Sequence, residues 1–295
     1  MAGQLRVIRR RIRSVQSTMK ITRAMELVSA SRVVRAQQRV EQSLPYCDEI
    51  THALTSVANT EVTVSHPLLE SRPEVKAAGV LVITSDRGLA GPYNANVLRT
   101  AAELMARLQA DGIEPRLYVV GRKGIAYYRF RRRELADSWS GMADRPDYDD
   151  AKRVADTMLQ AYLDHEVDEL HMVYTDFVSA ATQRTEARRI IPLVVQETSE
   201  RPPEPIPLYI YEPSAQGVLD ALLPRYVGAR VFTAMLEAAA SEHAARRRAM
   251  KAATDNASEL IEDLTREYNQ ARQAEITQEI MEIVGGAEAL QTSGS

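Results

Sequence analysis

QLRVIRRRIRSVQSTMKITRAMELVSASRVVRAQQRVEQSL, residues 4–44, contains neither glycine nor proline, and the stretch from Ala229 to Val284 shares that property. These two residues disfavour a helix interior most, so each run predicts one long helix. At the helical rise the first spans about 60 Å and the second about 80 Å, well past an ordinary globular helix. A core of this chain's own making cannot cover such rods. They are expected to wrap each other and to enter a partner.

The apolar spacing predicts a coiled coil. Leu5, Ile8, Ile12, Val15 and Met19 advance by alternating steps of three and four, and Met250, Ala253, Ala257, Leu260 and Leu264 do so near the other end. After Leu264 the register slips to Tyr268 and Ala271 and resumes through Ile276, Ile280 and Ile283, which predicts a stutter. One helix opens the chain and the other closes it, so the two can pair antiparallel within a single molecule.

The composition, 45% hydrophobic and 26% charged over 295 residues, is that of a folded protein with room for one central domain of about 150 residues plus extensions. No run approaches the ~18 apolar residues that span a bilayer, and MAGQLRVIRRRIRSV lacks the apolar stretch of a secretory signal, so a cytosolic compartment is expected. Arginines spread along the start as in a transit peptide, but their fit to a heptad favours a permanent helix. The lone Cys47 excludes an internal disulfide. A net charge of −3 conceals an asymmetry: residues 1–40 carry ten Arg or Lys against Glu26, whereas residues 255–288 carry nine acids against Arg266 and Arg272. Either the two helix faces neutralise each other or solvent, or a basic rod threads an acidic collar.

Of the 26 glycines and prolines, 18 fall between Pro67 and Pro213, which marks the folded body. Its pattern predicts strands at 79–84, 116–120, 169–175 and 189–195, and helices at about 93–110, 122–130 and 149–164. Such alternation implies a three-layer, Rossmann-like α/β sheet, with the last two strands an antiparallel hairpin at one edge. The expected division is a coiled-coil helix over 1–66, the α/β body over 67–213 and a second coiled-coil helix over 214–295.

TSDRGLAGPYN, residues 84–94, follows the first strand where α/β folds place phosphate loops. It has neither G-x-G-x-x-G nor a P-loop, and GRKG at 121–124 has neither spacing, so Ser85 and Asp86 are expected to cap the turn instead. His52, His66, His165, His171 and His243 lack metal-ligand spacing. No catalytic residues, metal ligands or cofactor are expected.

MKITRAMELVSASRVVRAQ (19–37), SDRGLAGPYN (85–94), AMKAATDN (249–256) and YNQARQAEITQEIMEIVGGAEAL (268–290) together resemble the gamma subunit of the bacterial F-type proton-translocating ATP synthase, in the same order and over essentially the whole chain. The resemblance implies a rotor shaft without an active site, one copy per complex. Its coiled coil sits inside a ring of alternating alpha and beta subunits, and its body sits with the epsilon subunit on the membrane c-ring, at the cytoplasmic face of the cell membrane. Carried over by motif, Arg272, Gln273 and Thr277 match a polar catch against a beta subunit, and Met25 matches a stretch beside the beta lever. Tyr209, Tyr211 and Glu212 match the foot on the c-ring, while Ile276, Ile280, Ile283 and Leu290 match a hydrophobic bearing.

The chain departs from that family's pattern at Ala90, where many members carry cysteine, and at Pro92 and Tyr93. The cysteine-bearing insert of chloroplast members is missing, so thiol regulation of that kind is not expected. Two other classes compete. A basic coiled-coil protein could grip nucleic acid, but here the arginines interrupt the seam and the acidic second helix offers an internal partner. A Rossmann-type enzyme would use the 84–94 loop.

Overall fold

The computed structural model describes residues 2–60, 68–69, 72–193 and 214–293. It comprises two compact units, Met1–Val28 with Arg247–Ser295, and Ser29–Arg246. The two glycine- and proline-free runs are helical throughout, but both helices outrun them: α1 covers Ala2–Thr60 across Pro45, and α5 covers Ala215–Ser293 across Pro224. A proline inside a helix forfeits a backbone hydrogen bond and crowds the carbonyl four residues back, at ~3 kcal/mol or more. Burial offsets this, since Ile50, Leu54 and Val57 follow Pro45 into the core, and Leu219, Leu223 and Val227 flank Pro224 there.

In the unit Ser29–Arg246 the order after α1 is β1 (Ala77–Ile83), α2 (Tyr93–Ala110), β2 (Glu114–Val120), α3 (Arg122–Phe130), β3 (Asp137–Trp139), α4 (Tyr148–Leu163), β4 (Glu169–Asp176) and β5 (Arg184–Ile191). The strands lie in the order β3-β2-β1-β4-β5, with β5 alone antiparallel. β1 is buried at all seven positions, as a central parallel strand covered on both faces must be. Its side chains alternate: Ala77, Leu81 and Ile83 join a core with α4 and the facing parts of α1 and α5, and Ala78, Val80 and Val82 join one with α2 and α3. The expected three layers and edge hairpin are present.

Two strands differ from expectation. β3 is too short to leave a pattern, and it is held where Trp139 stacks on Tyr118 at 6.4 Å between ring centroids. β5 runs over Arg184–Ile191 and not over 189–195, because Asp176 pairs with Arg184 after a turn closed by Ser179 and Thr182. As an edge strand it buries only Ile190 and Ile191, so the apolar end alone looked like the strand.

In the other unit, α1 and α5 run antiparallel: Arg9 meets Tyr268 and Thr22 meets Thr254 at 2.8 Å, one index rising as the other falls. On α1 the expected seam holds, with Ile8 buried and Leu5, Ile12, Val15 and Met19 half-buried before Thr22. On α5 from Met250 onward the covered positions are Met250, Ala253, Thr254, Ala257, Ile261, Leu264, Tyr268, Ala271 and Glu275, and all but Ala253 advance by alternating steps of four and three. That is an unbroken heptad, so the expected stutter is absent, and Leu260 lies exposed beside the seam. The expected register takes Leu260 as seam, where Ile261 is the covered residue. The pair ends where α1 begins, and past Glu275 the apolar residues of α5 are exposed, with no other helix against them among the described residues.

Candidate functional site

The strand order puts the topological switch point at the C-terminal end of β1, between its neighbours β2 and β4, where open α/β sheets take ligands. The 84–94 loop lies there, and its Thr84 and Ser85 hydroxyls and the Ser85 amide are already bonded within the chain. The Thr84 hydroxyl donates to the Val120 carbonyl at 2.9 Å and accepts from the Gly124 amide at 2.9 Å. Gly121, at φ 99°, lets the backbones approach so closely that a Cβ there would sit 2.2 Å from the Thr84 carbonyl oxygen. Ser85 bonds within the turn, through its hydroxyl to the Arg87 carbonyl and its amide to Asn94. Asp86 does not cap that turn. Its carboxylate accepts from the amides of Arg122, Gly141 and Ala143 at 2.9–3.1 Å. Arg122 opens α3, so the helix N-terminus that a phosphate would use already holds an anion.

α5 closes the crevice from above. Arg246 pairs with Glu242, both nearly inaccessible to water, and donates to the Arg87 and Gly88 carbonyls at 3.3 Å. Burial pushes Glu242 up to about 7, although Arg246 pulls the other way. Burial also drives His243 down to about 4, so it is neutral at pH 7, with Nε2 donating to the Asp144 carbonyl at 3.3 Å. What this arrangement does is fasten: one carboxylate and one guanidinium tie the loop, the α3 end, the 141–143 segment and α5 together.

A profile of the ATP synthase family matches residues 4–290. The ATP synthase gamma chain of Saccharopolyspora erythraea is 57% identical, covering 99% of both chains, and that of Acidothermus cellulolyticus is 58% identical over the whole of both. This chain belongs to the ATP synthase gamma chain family. Membership gives it the family's role, the central shaft of an F-type ATP synthase. A chain in the cryo-EM structure of Euglena gracilis mitochondrial ATP synthase, OSCP/F1/c-ring, shares the fold at a TM-score of 0.67 and 18% identity, covering 100% of this chain and 97% of that one. Among the described residues no helix is long and apolar enough to cross a membrane.

The residues carried over from the family's motifs do not form one site. Met25 is half-buried on α1. Arg272, Gln273 and Thr277 are exposed on α5, where the Thr277 hydroxyl donates to the Gln273 carbonyl at 2.9 Å. Thr22 meets Thr254, and Arg272 lies 18 residues beyond Thr254, so Met25 and Arg272 are separated by roughly 30 Å at the helical rise. Arg272 and Gln273 flank an intact seam, and their exposure comes from heptad position. Ile276, Ile280 and Ile283 are 43%, 54% and 72% exposed. Leu290 lies on α5, its side chain outside what is described, and Tyr209, Tyr211 and Glu212 lie outside the described residues.

Sequence reasoning missed Asp144, Glu242 and Arg246 and misjudged Asp86. The available signal was Glu242-x-x-x-Arg246, an acid and a base one helical turn apart inside an otherwise alanine-rich stretch.

Proposed function

We propose that the helix pair turns as a stiff, asymmetric rod inside a ring of alternating alpha and beta subunits, biasing each catalytic subunit by contact, while the body seats on the c-ring with epsilon beside it. The chain itself is non-catalytic, binds no nucleic acid, needs no cofactor and is present in one copy at the cytoplasmic face of the membrane. Residues 1–66 and 214–295 form the shaft and 67–213 the foot. One observation carries this reading: α5 runs past its partner with Ile276, Ile280, Met281, Ile283 and Val284 facing water, a surface that favours a surrounding apolar collar. Leu290 continues that bearing. Arg272 and Gln273, exposed just before the overhang, and Thr277 within it act as the catch, Met25 lies beside the beta lever, and Tyr209, Tyr211 and Glu212 meet the c-ring.

The rival enzyme reading is disfavoured by Asp86, whose carboxylate already occupies the α3 N-terminus that a phosphate would use. Purification from native membranes in mild detergent should bring down alpha and beta subunits in threefold excess over the chain. In the assembled complex Arg272→Ala with Gln273→Ala should slow ATP turnover while assembly is retained. Parental turnover would refute the catch, and absence of alpha and beta subunits would refute the shaft.

A further inference from the structure

α1 carries Arg32, Arg35 and Arg39 three and four residues apart, on one face. Across from them the segment between β3 and α4 supplies Arg145. With Gln38, Gln42, Asp144 and His243 they line a groove of about 410 Å³. The charges lining it do not balance. Arg32 Nη1 donates to both carboxylate oxygens of Asp144, at 2.8 and 3.1 Å, which engages the one carboxylate of the lining. Arg39 donates to the Pro146 carbonyl, a neutral acceptor. Arg35 and Arg145 are exposed and have no hydrogen-bond or ion-pair partner among the described residues. His243 adds no charge, since its Nδ1 accepts from Arg246 Nη1 at 3.3 Å and so carries no proton, and burial opposes a second one.

Burial and then the nearness of Arg145 hold Arg39 below the ordinary arginine range, with Asp147 opposing. The Asp147 carboxylate accepts from the Asp150 amide as the N-cap of α4. Guanidinium groups gathered around a concavity, with one carboxylate already engaged, repel each other until an anion enters. Their planar forks match tetrahedral oxyanions better than isolated monovalent ones.

We propose that this groove binds a multivalent phosphate-class anion, with Arg35, Arg39 and Arg145 as its ligands. The site is separate from the switch-point crevice, where Asp86 already takes the anion's place, and it does not depend on the shaft reading.

The test is calorimetric titration of the purified full chain with pyrophosphate, orthophosphate and magnesium-free ADP at constant ionic strength. Pyrophosphate should bind saturably at one site, and orthophosphate at least tenfold more weakly. ADP binding as well as pyrophosphate assigns the site to a nucleotide's phosphate tail, and ADP failing assigns it to the free anion. Arg35→Gln with Arg145→Gln should weaken pyrophosphate at least tenfold, and the corresponding lysine pair should recover part of that loss. Arg131→Gln with Arg132→Gln, which removes equal charge at the exposed end of α3, should leave binding unchanged. Absence of saturable pyrophosphate binding, or equal loss in both glutamine pairs, would overturn the proposal. Unchanged unliganded melting of the exposed-site variants separates loss of binding from loss of fold.

Discussion

The body and the helix pair are held by different means. In the body β1 is buried along its whole length and each sheet face has a core of its own. In the pair only Ile8, Thr22, Met250, Ala257 and Leu264 are buried among the described residues, a seam one side chain wide. The body therefore specifies its structure by filled volume. The pair specifies its structure by register, and leaves its flanks free for other surfaces.

The sharpest way to break that contrast is to add one methyl group to each region. Gly121→Ala puts a Cβ 2.2 Å from a backbone oxygen at φ 99°, and should cost about 4 kcal/mol or more, read as a large fall in the urea midpoint of the body. Gly285→Ala, in α5 with nothing within 4 Å, should instead raise helicity and gain ~0.5–1 kcal/mol. Destabilisation of similar size at both positions would remove the distinction.

Truncation comes next in size. Leu81→Ala, fully buried in β1, should lower stability by about 3–5 kcal/mol. Ile12→Ala, half-buried in the seam, should cost ~1 kcal/mol by the same denaturation measurement. A seam loss as large as the core loss would mean that the pair is packed more deeply than its exposure indicates.

The smallest effect is in pH dependence, and it belongs to the body. Burial raises both Glu237 and Glu242 to about 7. The folded state then keeps protons that the unfolded state has released, so this stabilisation is full below the ordinary carboxyl range and is lost as pH rises through 7. His243, lowered to about 4, acts oppositely: its contribution is present above the ordinary imidazole value and is lost as pH falls through 4. With two carboxyls against one imidazole, Glu242→Gln should reduce the stability gained on acidification from about pH 7.5 to about 5. An identical pH slope in the variant, measured by urea denaturation, would show that Glu242 does not titrate in that window.

Legibility followed the range of the interaction. The long helices, the buried parallel strands and α2, Tyr93–Ala110, could be read because their signals are local: missing breakers, apolar runs and a period near 3.6. The α1 seam could be read for the same reason. The α5 register was misread because Leu260 and Ile261 are adjacent and equally apolar, and only the partner helix decides between them. The passage through Pro45 was hidden because burial of Ile50, Leu54 and Val57 overrides the local cost of proline. The fastening at the switch point was the least legible. Asp86 reaches residues 36 and 55 positions away, and Arg246 reaches back 158 to Gly88, distances over which a pattern in one chain carries no signal.

The Thr22–Thr254 hydroxyl pair sits in an otherwise mostly apolar seam. Were the helices to slide by one heptad, about 10 Å, Thr22 would face Ile261 or Arg247 and its hydroxyl would lose its mate. The seam's remaining positions, largely aliphatic, penalise such a slide less. These two threonines thus act as an index mark, fixing the phase of one helix against the other. In a part that turns, an error of phase becomes an error of timing, and the mark that prevents it faces inward, where no stator contact can wear on it.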